Sequence, residues 1–326
     1  MNYTINISEI ESIKRDRLVD SKLVILLSNN PNISIVAATL RTIAFDFIPT
    51  YRFCSNSIKI IQNTSIFNND KMRLRLSQMP IYLSPSDKVI NHLKSKYWHK
   101  PEFNFIKTNK HKKDNLEITM VIKITNANND VLNVTTNDAK FYKNNIEFEP
   151  FDKNYPHLLI QLRREETFDA ICNTVLSVGH VNNIWSSVAN CYFDTSDDLN
   201  YTFTLLSNGD FTEYLILYKC CIFIIKELEF FNEIIKNNVD NTKKGIRLEL
   251  DMMNFIGCLV NAFLQDHPNI NFSGVSRSNY LQEDCILTIY SESHEVFKSL
   301  FEVIENLIGL FDNLRNQFAD LGKLEF

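Results

Sequence analysis

The sequence predicts an α+β fold of two related halves in one chain, the first interrupted by a mixed, mostly β insert. Three observations carry that expectation. Compact apolar runs and helix-spaced apolar rows follow one another in the same order near both ends of the chain. Two long rows recur at alternating intervals of three and four, so each lays one apolar face along a long helix. A polar stretch ending in Gly245 separates them and is the best linker in the chain. The expected division is residues 1–50 and 188–238 for the discontinuous first half, 51–187 for the insert, 239–245 for the linker and 246–326 for the second half.

In chain order, Lys22 to Leu27 is an apolar run bounded by polar residues, as a buried strand requires. A turn at Asn29–Asn32 leads into a helix over 33–46, which Pro49 ends because it disfavours α geometry in the preceding residue. The insert holds strand-like runs at 58–62, 117–124 and 158–162 between polar loops. Tyr201–Ser207 reads as a strand and Asn208-Gly209 as a turn. A long helix follows, with Tyr214, Leu217, Cys221, Ile224, Leu228, Phe231 and Ile235 on one face. After the linker come a strand at 246–250, a helix at 253–265, strands around Phe272 and at 286–290, and a terminal helix. That last helix carries Phe297, Leu300, Ile304, Leu307, Phe311, Leu314 and Phe318 at the same spacing. Gly257 interrupts an apolar helix at a cost of about 1 kcal/mol relative to Ala, which points to close approach of a second helix.

With 44% apolar and 22% charged residues the chain can bury a large core and is not disordered. A net charge of −5 gives no whole-chain attraction to nucleic acid, so any such contact needs a local patch or a partner. Segment 92–113 is the one basic-aromatic candidate, with seven lysines among Tyr97, Trp98 and Phe103; it suits either a solvated loop or a single-strand contact. The seven cysteines are scattered with no Cys-x-x-Cys pair, which suits buried thiols in a reducing compartment and no closed zinc site. The N-terminal residues lack an apolar leader core and no run is long enough to span a bilayer, so an intracellular protein without membrane contact is expected.

Several segments, in order, resemble the α-like subunits of DNA-directed RNA polymerases. Thr39-Leu40-Arg41-Thr42-Ile43-Ala44-Phe45-Asp46-Phe47-Ile48-Pro49-Thr50 is similar to the helix and Ile-Pro-Thr turn of the larger α-like subunit. Asn63-Thr64-Ser65, Arg75-Leu76 and Met79-Pro80-Ile81 resemble its next signature, and Leu158–Arg163 its Leu-Arg-ending strand. Gly179, Trp185, Ser186 and Val188 fall on its Gly-x5-Trp-Ser-x-Val positions. Beyond the linker, Phe255–Leu259 and Pro268–Gly274 resemble signatures of the smaller α-like subunit. Both subunits in one chain, with an Asn/Lys/Ile-rich composition, resemble the arrangement in large cytoplasmic DNA viruses.

The resemblance implies two α-like dimerisation domains forming an intramolecular pseudo-dimer, with no homo-oligomer required. It implies a non-catalytic assembly platform, without cofactor or metal, for two large catalytic subunits and a small zinc-binding subunit. DNA would be met only indirectly through the complex, in the host cytoplasm and the virion. The expected partner interface is Leu40, Arg41, Pro49, Arg73, Arg75 and Trp185. The expected contact between the halves is Ile43, Leu217, Cys221, Ile224, Leu228, Gly257, Leu259, Leu300, Ile304, Leu307 and Phe311. Ala38 and Thr42 depart from the family's Asn and second Arg, and Ser278–Gln282 from its Pro-His-Pro-Leu-Glu; contacts resting on those residues do not carry over. The insert has no Cys between residues 55 and 171, so the metal of some relatives is not expected.

Single residues admit two readings. Arg41 on an apolar helix either pairs locally or reaches a partner carboxylate or carbonyl. Arg73 and Arg75 diverge on a helix but share a face on a strand. Trp185 suits a packing anchor better than a ligand platform. For independent catalysis, only Cys172 with His180 and the acidic run Asp194-Thr195-Ser196-Asp197-Asp198, read as a loop, come forward; neither has the partners that a nucleophile or a two-metal site needs.

Overall fold

The structure, a computed structural model, describes residues 4–14, 21–82, 92–93, 117–197, 200–236, 245–250, 254–277, 285–292 and 295–324. The fold is α+β, with antiparallel sheets and, among the described residues, five helices. In the first half, β1 (Asn6–Ile13), β2 (Lys22–Ser28), β10 (Val188–Asp197) and β11 (Asn200–Ser207) form a sheet in the order β1-β2-β11-β10. Leu23, Ile25 and Leu27 alternate inward and sit opposite Leu205, Phe203 and Tyr201. Helices α1 (Ile33–Asp46) and α3 (Glu213–Lys236) cover that face.

The second half repeats this plan. Strands β12 (Gly245–Leu250), β13 (Phe272–Arg277) and β14 (Cys285–Tyr290) pair in the order β12-β14-β13, with α4 (Asn254–Gln265) and α5 (Val296–Gly322). Strand, helix, hairpin, long helix is thus the order in both halves, and in each sheet the second hairpin strand is central. The first half adds only β1.

Four features differ from the sequence expectation. β1 escapes the apolar-run criterion because its residues are nearly all exposed. β10 also goes unread, and it turns the acidic run from a loop into the end of an edge strand through Asp197. Gly245 opens β12, so it is not linker; residues 237–244 lie outside the described residues, as do 94–113 of the basic-aromatic segment and the diverged site at 278–282. The insert begins one residue early, with β3 (Thr50–Asn63), because the polar Ser55-Asn56-Ser57 stretch hides a strand that continues through a register shift between Phe53 and Ile58.

The insert is a five-stranded sheet, β3-β9-β4-β6-β7, made with β4 (Ile118–Thr125), β6 (Lys140–Lys143), β7 (Ile146–Phe148) and β9 (Thr167–Ser177). A separate pair, β5 (Leu132–Thr135) with β8 (Leu158–Leu162), and helix α2 (Asn69–Ser77) complete it. Phe53, Ile58, Met120, Ile122, Phe168 and Cys172 fill its interior.

α3 packs along α5, and α1 packs on both α3 and α4. Their apolar faces merge into one core containing residues of both halves. The two chain ends are locked as well. Gln317 of α5 donates to the Ile5 carbonyl (2.9 Å) and accepts from the Ile7 N–H (3.1 Å), so a side-chain amide takes the place of a neighbouring strand on the free edge of β1. The Tyr214 hydroxyl donates to Glu9 of the same strand. At the other end of the core, the Asn32 amide donates to Asp266 at 2.6 Å. Among the described residues no helix is long and apolar enough to cross a membrane.

Gln317→Ala should cost about 1–2 kcal/mol, because it strands a donor and an acceptor on β1. Chemical denaturation should show that loss, and hydrogen exchange should show the Ile7 amide losing protection while the amides of β14 do not.

Candidate partner interface

The segments that carry the family resemblance, scattered from residue 45 to residue 188, meet around one buried arginine. Arg52 of β3 is 1% exposed. Its Nη2 pairs with Asp210 Oδ2 at 2.5 Å. Its Nε donates to the Ile184 carbonyl (2.7 Å), and its η nitrogens reach the carbonyls of Met79 and Ser186, each at 3.4 Å. The other Asp210 oxygen accepts from the Ile81 N–H at 3.1 Å. Burial pulls the Arg52 pKa down while Asp210 and Tyr82 oppose the shift; an arginine stays charged under such conditions. The pair therefore joins β3, the Met79–Ile81 segment, the turn before Trp185 and the turn before α3.

Around this pair the chain is fitted closely. Thr50 Oγ1 donates to the Trp185 carbonyl (2.7 Å), and Trp185 Nε1 donates to Val175 (3.0 Å). Ser187 Oγ donates to Ala44 of α1 at 2.8 Å, and the His180 N–H to Asp46 at 2.9 Å. A Cβ on Gly179 would stand 2.0 Å from the Phe45 carbonyl oxygen, so only glycine allows the strand end to touch the end of α1. The Gly-x5-Trp-Ser signature is thus a docking seam between insert and first half.

Three of the six expected partner residues are buried within the chain itself. Leu40 is 0% exposed, its carbonyl facing Cys220; Pro49 is buried; Trp185 is 2% exposed, with its indole N–H satisfied internally. Their apolar area is spent on the chain's own core, which corrects their assignment to an outer interface. Arg41, Arg73 and Arg75 remain at the surface. Arg41 is exposed, its Nε donates to the Cys191 carbonyl on β10 at 3.1 Å, and its guanidinium carbon is 5.9 Å from the Phe45 ring centroid. α2 is a helix, so Arg73 and Arg75 diverge: Arg73 pairs with Asp70 (3.0 Å) and Arg75 donates to the Leu158 carbonyl (3.0 Å).

The residues expected between the halves fare differently. Ile43, Leu217, Cys221, Ile224, Leu228, Leu259, Leu300, Ile304, Leu307 and Phe311 are all buried in the shared core, and Gly257 is buried in α4. Arg52 and Asp210 escape notice in the sequence. The only signal is a lone arginine in the run Thr-Tyr-Arg-Phe-Cys and an aspartate after Asn-Gly; neither marks a partner 158 residues away.

No nucleophile is poised here. Cys172 is 0% exposed, burial pushes its thiol up to about 12, and His180 stacks on Phe47 with centroids 5.5 Å apart. Burial also raises Cys191 to about 12. Among the described residues no group of three or more His, Cys, Asp or Glu could hold a metal ion. Lys219 of α3 is 3% exposed with its Nζ 4.9 Å from the Phe211 ring centroid, and burial pulls it down to about 8. In comparisons with known proteins, the chain matches no family model and no curated relative.

Arg52→Met should cost about 3–5 kcal/mol because it leaves the Asp210 carboxylate buried without its partner, whereas Arg52→Met with Asp210→Leu should recover a large part of that loss. A double-mutant cycle in denaturant reads the coupling. Lys219 contributes in the opposite sense. Its folded pKa lies below the unfolded value of 10.5, so the buried charge destabilises the fold below pH 8, and that cost fades as pH rises from 8 to 10.5. Lys219→Met should therefore stabilise the chain near neutral pH, and its advantage over the native chain should shrink across that window.

Proposed function

We propose that this protein is a non-catalytic subunit of a DNA-directed RNA polymerase, the platform on which two large catalytic subunits and a small zinc-binding subunit assemble for transcription. The single observation that carries the reading is the internal pairing of two unequal halves. Two strand–helix–hairpin–helix units, one bearing an insert, pack their long helices α3 and α5 together in one core. That is the arrangement a fused pair of larger and smaller α-like subunits requires. In this reading the halves form an intramolecular pseudo-dimer, and the tether holds them at an effective concentration of about millimolar or above, so their pairing does not depend on expression level.

The partner surface is the exposed side of α1 and α2. Arg41 spends one N–H on Cys191 and presents the rest of its guanidinium beside an edge strand, where a partner carboxylate or carbonyl can accept it. Arg75 and the 60%-exposed Leu74 next to it offer a second contact. The buried Arg52–Asp210 pair touches no partner; it fixes the insert against α1 and so sets the geometry of both contacts. On this reading the protein works in the host cytoplasm.

Affinity purification from the native source should recover two very large subunits and a small zinc-bearing one in stoichiometric amounts; their absence would defeat the proposal. Arg41→Ala should lower that recovery about tenfold while thermal melting of the isolated chain stays within about 0.5 kcal/mol of the native value. Unfolding of the variant would instead make Arg41 a structural residue.

A further inference from the structure

One face of the second half's sheet packs on α4; the other is exposed around Phe272 and Tyr290, while Ile286, farther along it, is buried. Strand alternation turns Ile246, Leu287 and Ile289 inward, where they are buried, and Phe272, Tyr290 and Arg247 outward. Phe272 and Tyr290 are direct cross-strand partners, 57% and 40% exposed. Neither ring stands away from the sheet. A Cβ on Gly274 would lie 3.2 Å from the Phe272 Cζ, and one on Gly245 would lie 3.5 Å from the Tyr290 Cδ2. Each ring leans over a glycine with one side on the backbone and the other open. Gly274 makes room for the Phe272 ring, whereas a Cβ on Gly245 would meet the Tyr290 ring at ordinary contact distance; the two aromatic side chains are about 5 Å apart at their bases.

Charge decides what such a surface can take. Residues 239–326 carry seven Lys/Arg and thirteen Asp/Glu, a net −6, against +1 for residues 1–238. Glu292, two residues beyond Tyr290, is exposed, and its N–H is held by the Asn271 side chain at 2.8 Å. Arg247 and Glu249 are exposed on the same face of β12, two and four residues from the row of Tyr290, and Arg247 is the face's one base among the described residues. A phosphate backbone needs several cations and would be repelled by this half. A cation with a flat π surface meets both features at once, since a guanidinium stacks on aromatic faces and pairs with carboxylates in a way an ammonium does not.

We infer that this exposed face docks an arginine-bearing segment of a partner protein, its guanidinium stacked on Phe272 and Tyr290 and its charge met by Glu292. The inference is independent of the polymerase reading, and purified chain alone suffices to test it. A fluorescein-labelled nonapeptide of three Gly-Arg-Leu repeats, titrated against the full chain at low salt and followed by anisotropy, should bind saturably. Phe272→Ala with Tyr290→Ala should weaken binding about tenfold, and Glu292→Gln about threefold. Arg247→Glu should tighten it about threefold by removing the one repelling charge, and a Gly-Lys-Leu peptide should bind about threefold more weakly. The aromatic rings are exposed, so circular dichroism and melting should match the native chain. Unchanged peptide affinity in the aromatic double variant, or no saturable peptide binding at all, would overturn the inference. So would binding of a 15-residue oligothymidylate that the same variant loses, which would make the face a nucleic-acid site.

Discussion

The ion pair between Arg52 and Asp210 is the constraint on which the arrangement of insert and first half depends. A guanidinium sealed from water costs several kcal/mol unless its charge and its N–H groups are all answered. Here one carboxylate and three backbone carbonyls answer them. Those acceptors come from three separate stretches of chain and the arginine from a fourth, so the charge is satisfied only when all four are in place at once. Such a requirement sets one relative position for β3, the Met79–Ile81 segment, the Trp185 turn and the start of α3, where apolar packing alone would tolerate sliding.

The two halves are held together by a different kind of interaction. Along α3 and α5 the contact is broad and apolar, and it gains its strength from area, not from a specific partner. Direction comes from the margins. Gln317 stands in for a strand beside β1, Tyr214 reaches Glu9, and Asn32 reaches Asp266. The first half's sheet edge is closed by a helix that belongs to the second half. Either half alone would expose a long apolar helix face, and the first would also expose an unpaired edge.

Function, on the proposed reading, follows from this division of labour. A platform has to hold its contact surfaces at a fixed distance while doing no chemistry, and the buried thiols, pushed far above the physiological range, are inert accordingly. Arg41 and Arg75 are anchored to backbone carbonyls and do not sweep freely. Holding them in place in advance lowers the ordering cost of binding a partner.

The sequence by itself determined the two-halved order, the helix over 33–46, the two long helices carrying the apolar rows 214–235 and 297–318, and the identity of the buried helix faces. Those features are written in local periodicity, because an apolar stripe at helical spacing has one stable use in water. It did not disclose β1 or β10. Edge strands with exposed faces carry no alternating apolar signal, and hydrogen bonding to a neighbour far along the chain is what makes them strands. Leu40, Pro49 and Trp185 looked like contacts for another protein because motif position does not say which way a side chain faces. Tertiary structure alone decided that they point inward, that Gly179 sits against Phe45, and that Arg52 finds Asp210. Each of these depends on segments more than a hundred residues apart, and their meeting is fixed by the satisfaction of buried polar groups, which no local pattern encodes.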